Sequence, residues 1–335
     1  TVVLEPGARD ASYEEASSVK AEGENASERD RASETITVST ARPAPAIDSI
    51  AELDFPTIER ATLKNGMKVS YARRTAVPAT YVTMSFNAGG AADPAGKEGL
   101  QGLTLALFDE GTAKLSAQKI AEAGERLGAS VSAGGSDDRS TFTLSALTAN
   151  LAPSLDLMRQ IMREPAFNPE DLERVRNQTI TGLRQAMKSP QGIAQLTLTP
   201  ELFGASSPYG RVPTVASVSS ITRDDLIAHK DSWIRPDNGE VFVISDKPLA
   251  EIVTALNVAF GDWTPPATPK GTKQFADNMG ANGNRIILVN RPNSPQSFIL
   301  GSQITPLDAG DPAFVAFGSA NKSLGGDFLA RLNMN

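Results

Sequence analysis

Residues 99–112 read Gly-Leu-Gln-Gly-Leu-Thr-Leu-Ala-Leu-Phe-Asp-Glu-Gly-Thr, and the apolar run from Leu100 to Phe108 has little polar cover. Such a run predicts a helix buried on most of its sides. A helix of that kind needs other elements to shelter it, so the flanking sequence must supply a sheet and further helices. A loop rich in Gly, Ala and Pro, Gly89–Glu98, leads into the run. Asp109-Glu110 reads as its solvated end rather than as a functional acid pair.

Upstream, Arg60–Leu63 and Met67–Arg73 flank Asn65-Gly66, a dipeptide suited to a tight turn with positive φ, and Tyr81–Asn87 adds a third alternating stretch. A three-stranded meander is expected there. Downstream, Ser116 is a good N-cap for a helix over Ala117–Leu127 that Gly128 would end. Strands follow at Ala129–Ala133 and Thr141–Leu147, with Asp137-Asp138-Arg139 as a polar connection between them. Helices are expected near Ala152–Met162 and at Pro169–Lys188, the latter with Asn168 as cap and Pro169 in its first turn. Then come a helix at Ile193–Phe203, one capped by Thr222, a strand at Glu240–Ser245 and a helix at Leu249–Phe260. The order is that of an α+β domain.

The Pro- and Thr-rich stretch Trp263–Lys273 reads as a boundary. Beyond it, Arg285–Asn290 and Ser297–Gln303 read as strands and Pro312–Leu324 as a helix, in the order of the first unit's opening. Three parts are therefore expected: 1–50, the end of a preceding domain and a linker without periodicity; 51–267, a complete α+β domain; and 268–335, the truncated start of a second copy. The chain is expected to be an interior piece of a longer polypeptide.

Composition narrows the function. With 335 residues, 40% of them hydrophobic and 21% charged, the chain can bury sizeable cores. A net charge of −7 offers no broad positive field for phosphates, so nucleic acid is not an expected partner. The absence of cysteine removes disulfides, thiolate metal sites and cysteine nucleophiles. No apolar run is long enough for a membrane span. Neither a GxSxG elbow nor a phosphate loop is present, since Gly325-Gly326 lacks a following Lys-Ser or Lys-Thr. His229, the single histidine, reads as a packing or surface residue of a helix.

Several segments, in order, resemble the M16 family of zinc metallopeptidases, which includes pitrilysin, insulysin and the mitochondrial processing peptidase. They are Leu63–Val69, Gly89–Pro94, Gly99–Thr112, Ala129–Ala133, Ser207-Pro-Tyr-Gly210 and Leu324–Leu332. The resemblance implies an α+β, LuxS/metallohydrolase-like fold, an antiparallel sheet packed with helices, duplicated. In active members the helix carries HxxEH, whose two His bind zinc from one face while the Glu polarises water. Here those positions read Gly102, Leu105 and Ala106, and the further Glu ligand falls on Gly182. Neither glycine nor alanine offers a lone pair to zinc, so no metal and no catalysis are expected in this chain.

The resemblance further implies that the strand holding Ser132, Ala133 and Gly134 lies where active halves pair with extended substrate. An Arg and a Tyr in an RxxxGxxY pattern would follow the segment matching Leu324–Leu332. The leading expectation is the non-catalytic C-terminal half of a fused M16 peptidase. It would close the proteolytic chamber and help position peptide for a zinc site on a catalytic half in the same polypeptide, in a periplasmic or secreted protein. The alternatives are a structural subunit of the core-protein type and a stand-alone peptide-binding module.

Overall fold

Alternating apolar and small polar residues build one mixed sheet in the computed structural model, which describes residues 55–275, 283–292, 294 and 296–334. The expected segment 1–50 lies outside the described residues. The strands are β1 (Ile58–Thr62), β2 (Lys68–Arg73), β3 (Ala79–Phe86), β4 (Ala129–Gly135), β5 (Ser140–Leu147) and β6 (Gly239–Ser245). Their order across the sheet is β1-β2-β6-β3-β5-β4. The expected meander is corrected: β6 lies between β2 and β3, parallel to β2 and antiparallel to β3. The remaining ladders are antiparallel.

One face of the sheet is the core. Val69, Tyr71, Val82, Met84, Phe142, Leu144, Val241 and Val243 are buried there, in the period of two that a half-covered sheet requires. On the opposite face Tyr81, Phe242 and Ile244 are exposed.

The helices are α1 (Leu100–Leu105), α2 (Ala117–Leu127), α3 (Leu151–Arg163), α4 (Pro169–Ala186), α5 (Pro190–Phe203), α6 (Val215–Ser220), α7 (Arg223–Trp233), α8 (Leu249–Phe260), α9 (Phe314–Asn321) and α10 (Arg331–Met334). Local chemistry sets several ends. Ser116 accepts the Lys119 N–H at the start of α2, and Gly128 closes that helix with φ +59°. Thr222 and Asp225 exchange side-chain and backbone bonds as a capping box on α7. Asn168 precedes α4, but its side chain bonds the Asp171 carboxylate (3.2 Å) instead of capping the helix.

Past α8 the structure departs from expectation. Trp263–Lys273 runs back across the first unit: Gly271 N–H donates to Ser232 O (3.0 Å), and Trp263 packs near Phe86 with ring centroids 6.0 Å apart. The strands expected at Arg285–Asn290 and Ser297–Gln303 do not form. Two lone strands are marginal in water without a third strand or a helix to cover them. The expected helix at Pro312–Leu324 shortens to α9, followed by a π-helical turn over Lys322–Gly326.

Candidate functional site

The quoted stretch 99–112 seats α1 against the end of β4. Gly99 takes φ +97°, a conformation that favours glycine, and starts the helix. The buried Asp93 carboxylate accepts the N–H groups of Gly99 and Gln101 (2.9 Å each), satisfying donors that a helix start leaves open. Burial pushes the Asp93 carboxyl up to about 7 despite those bonds. At the other end, Phe108 is fully buried edge-on to Phe142 (4.7 Å between centroids) and Phe167 (5.6 Å). Burying a side chain of that size contributes roughly 1.5–3 kcal/mol.

Gln101 ties the helix to the β4–β5 hairpin. Its Nε2 donates among Ser140 Oγ (2.9 Å) and the carbonyls of Arg139 (3.1 Å), Ala88 and Ser136 (3.3 Å each). Gly135 lies so close that a Cβ there would overlap Gln101 and Leu105. The hairpin tip is held from the other side by Tyr209, whose hydroxyl donates to Asp138 Oδ1 (2.6 Å), a bond that pushes the phenol up to about 12. Lys273 Nζ donates to Asn87 Oδ1 (2.8 Å) and Asp138 O (2.5 Å).

This seating leaves a cleft of about 350 Å³ between α1, α4 and β4. Leu105, Ala106, Asp109 and Glu110 form one wall, Val131, Ser132 and Ala133 of β4 the second, and Val175 and Gln178 of α4 the third. β4 is the last strand of the sheet, so its outer edge has no partner strand among the described residues. Glu110 pairs with Arg174 (2.5 Å), which also reaches Asp171 (3.2 Å). Burial, reinforced by neighbouring Glu110, holds the Asp109 carboxyl above the usual range.

Of the residues singled out from the sequence, Leu105, Ala106, Ser132 and Ala133 meet in this cleft, whereas Gly102, Gly134 and Gly182 are not in its lining. Gly102 and Ala106 share one exposed face of α1, one turn apart, while Leu105 is buried. A Cβ built on Gly102 or Gly182 meets nothing within 4 Å, so packing requires glycine at neither. The donor set does not fit zinc: Gly, Leu, Ala and Gly supply no ligating atom. Among the described residues no group of three or more His, Cys, Asp or Glu is placed to hold a metal ion. His229 is buried on α7 with its Nδ1 unpartnered, and burial lowers it to about 4, so it is neutral at pH 7.

Sequence reasoning missed Gln101 as the bracket between α1 and the hairpin, although a glutamine inside an apolar run was a usable signal. Asp109, exposed, and half-buried Glu110, read as a solvated helix end, also line the cleft. That placement depends on α4 and β4, which a local reading does not see.

Residues 68–206 match the sequence model of the family described as insulinase (peptidase family M16), and residues 220–335 match that of the peptidase M16 inactive domain. The chain is 28% identical over 160 residues to the "Non-peptidase homolog YmxG" of Helicobacter pylori, covering 47% of this chain and 37% of that protein. It is 22% identical over 199 residues to the "Uncharacterized zinc protease YmxG" of Bacillus subtilis, covering 58% and 49%. The chain therefore spans half or less of these curated relatives. A crystal structure of a peptidase M16 inactive domain from Pseudomonas fluorescens superposes with a TM-score of 0.66 at 22% identity, over 83% of this chain and 66% of that one. The two family models, both of M16, together cover most of the chain and the fold agrees: the chain belongs to the M16 peptidase family, with residues 220–335 matching its inactive domain.

Proposed function

We propose that this chain is the non-catalytic half of an M16-type peptidase assembly, which closes the chamber and holds an extended peptide for a zinc site carried by another half. The single observation that carries the reading is the cleft itself. The outer edge of β4, unpaired among the described residues, runs beside Leu105 and Ala106, two of the positions that the resemblance matches to the lost metal site. An open edge can add a peptide strand through main-chain hydrogen bonds, and Ser132, Ala133 and Gly134 are small enough to allow close approach. Such a half contributes binding and positioning rather than bond chemistry. Gly134 is assigned to this role from its register opposite Thr141 rather than from the cleft lining. The zinc-bearing half in the same polypeptide, the second α+β copy beginning near residue 268 and an extracytoplasmic location are parts of the same proposal.

The test uses the 335-residue chain with a fluorescent unfolded peptide and a chelator present. Saturable binding without metal is expected, lost in Ala106→Trp, which fills the cleft from an exposed position. Mixing the chain with a competent M16 half is expected to produce zinc-dependent cleavage that neither shows alone. Binding without any such complementation would point to a stand-alone peptide-binding module, and failure of both would leave a structural subunit.

A further inference from the structure

We infer that the uncovered face of the sheet is a docking surface for one amphipathic helix of a partner protein, with an apolar stripe flanked by Asp and Glu. The surface is separate from the β4 edge and does not depend on the peptide-binding reading of that edge.

The composition of β6 is the first sign. Val241-Phe-Val-Ile244 is apolar at every position, the pattern of a strand covered on both faces. β6 also pairs in parallel with β2, an arrangement that sheets ordinarily bury on both sides. Only one side is covered: Val241 and Val243 are buried in the core, whereas Phe242 is 43% exposed and Ile244 45%. In register with Ile244 lie Ala72 of β2, Ile58 of β1 and Tyr81 of β3, so apolar side chains form one row over four neighbouring strands. Ile58 and Tyr81 are exposed as well.

The width and charge of the patch select its occupant. Four strands set the outer two about 14 Å apart, close to the roughly 10–12 Å diameter of a helix. On β5 and β4 the same face continues as Thr141, Thr143, Ser145, Ser130 and Ser132, with Leu147 the one large apolar side chain. A second sheet, which packs across the full width, would bury that row of hydroxyls. Three charged side chains share the face by register: Arg60, Lys68 and Glu240. Glu240 pairs with Arg139 (2.9 Å), whereas Arg60 and Lys68 have no acidic partner among the described residues. The β1–β2 hairpin adds Lys64, Arg73 and Arg74 against a single acid, Glu59. A second copy of this chain would bring the same basic rim, so the complement is a helix with acidic flanks.

The experiment measures anisotropy of two labelled helical peptides with the full chain: one with a Leu stripe flanked by Glu, the other with the same stripe flanked by Lys. The Glu-flanked peptide is expected to bind about tenfold more tightly, and added salt should narrow the gap. Arg60→Glu combined with Lys68→Glu should reverse the order. Phe242→Ser and Ile244→Ser should each weaken the Glu-flanked peptide about tenfold. Arg60 and Lys68 are exposed, so the charge-reversed chain tests the inference even where a β6 variant folds poorly. Ala106→Trp, beside β4, should leave both affinities unchanged, and loss of the helical peptide in that variant would move its site to the cleft and overturn the inference. Equal affinity for the two peptides, or binding of neither, would also overturn it. So would a light-scattering mass that falls in Phe242→Ser, which would assign the face to a second copy.

Discussion

Asp93 and His229 are single buried ionisable residues whose titrations oppose one another. The Asp93 carboxyl is pushed up to about 7 by burial, so between pH 4 and 7 the folded chain holds a proton that the unfolded chain has released. Its contribution to stability is therefore present at low pH and lost as pH rises through 7. His229 is lowered to about 4 by burial, so between pH 6.5 and 4 the unfolded chain takes up a proton that the folded one refuses. Its contribution is present above pH 6.5 and lost as pH falls. Denaturant midpoints from pH 4 to 8 check both signs by difference from wild type. The stability of Asp93→Asn relative to wild type should improve as pH rises from 4 to 7, and that of His229→Gln should improve as pH falls from 6.5 to 4. A pH-independent difference in either variant would show that the residue titrates alike in the folded and unfolded chains.

At the level of elements, α1 and α4 keep glycines that the fold does not need, while the loop and hairpin around them keep glycines that it does. Gly102→Ala and Gly182→Ala add a methyl to open space in helices, and each should stabilise the chain by roughly 0.5–1 kcal/mol. Gly89→Ala would drive a Cβ into the Asp137 carbonyl and should cost about 1–3 kcal/mol. Thermal and denaturant unfolding of the three variants tests the contrast, and a destabilised Gly102→Ala would give that glycine a structural purpose. Tyr209→Phe keeps the ring stacked on Phe275 but removes the bond to Asp138. About 1 kcal/mol should be lost, seen as faster amide exchange at the β4–β5 tip with other helices unchanged. These elements also show how far the sequence could be read. The bounds of α2 were legible because Ser116 and Gly128 act within one turn of the ends they set. The insertion of β6 between β2 and β3 was not, because pairing of Val69 with Val241 and of Met84 with Val241 leaves no mark in either neighbourhood. The cleft was not legible either, because it needs α4 and β4 in place.

For the whole molecule, the distribution of exposed apolar surface sets its behaviour in solution. In the described residues beyond 283, Ile286 is 99% exposed, Leu288 90% and Ile299 92%, within the two stretches that read as strands but form none. Arg285 ties this region to α5 through Glu201 (2.6 Å), and the two sides enclose an apolar groove of about 740 Å³. Strand-forming segments with unsatisfied backbone edges and bare aliphatic side chains are templates for association. The chain alone should therefore self-associate, its light-scattering mass rising with concentration despite a net charge of −7. Ile286→Lys, Leu288→Glu and Ile299→Lys combined should hold the mass at that of one chain. Because these side chains bury almost nothing, each change should alter stability by no more than about 0.5 kcal/mol, so the unfolding midpoint should stay close to that of wild type. A wild-type chain that remains monomeric at high concentration would show that these segments are tolerated bare, and a large drop in the variant's midpoint would show that they pack in solution. The expected pair of results, association relieved without loss of stability, would mark this surface as the site of self-association.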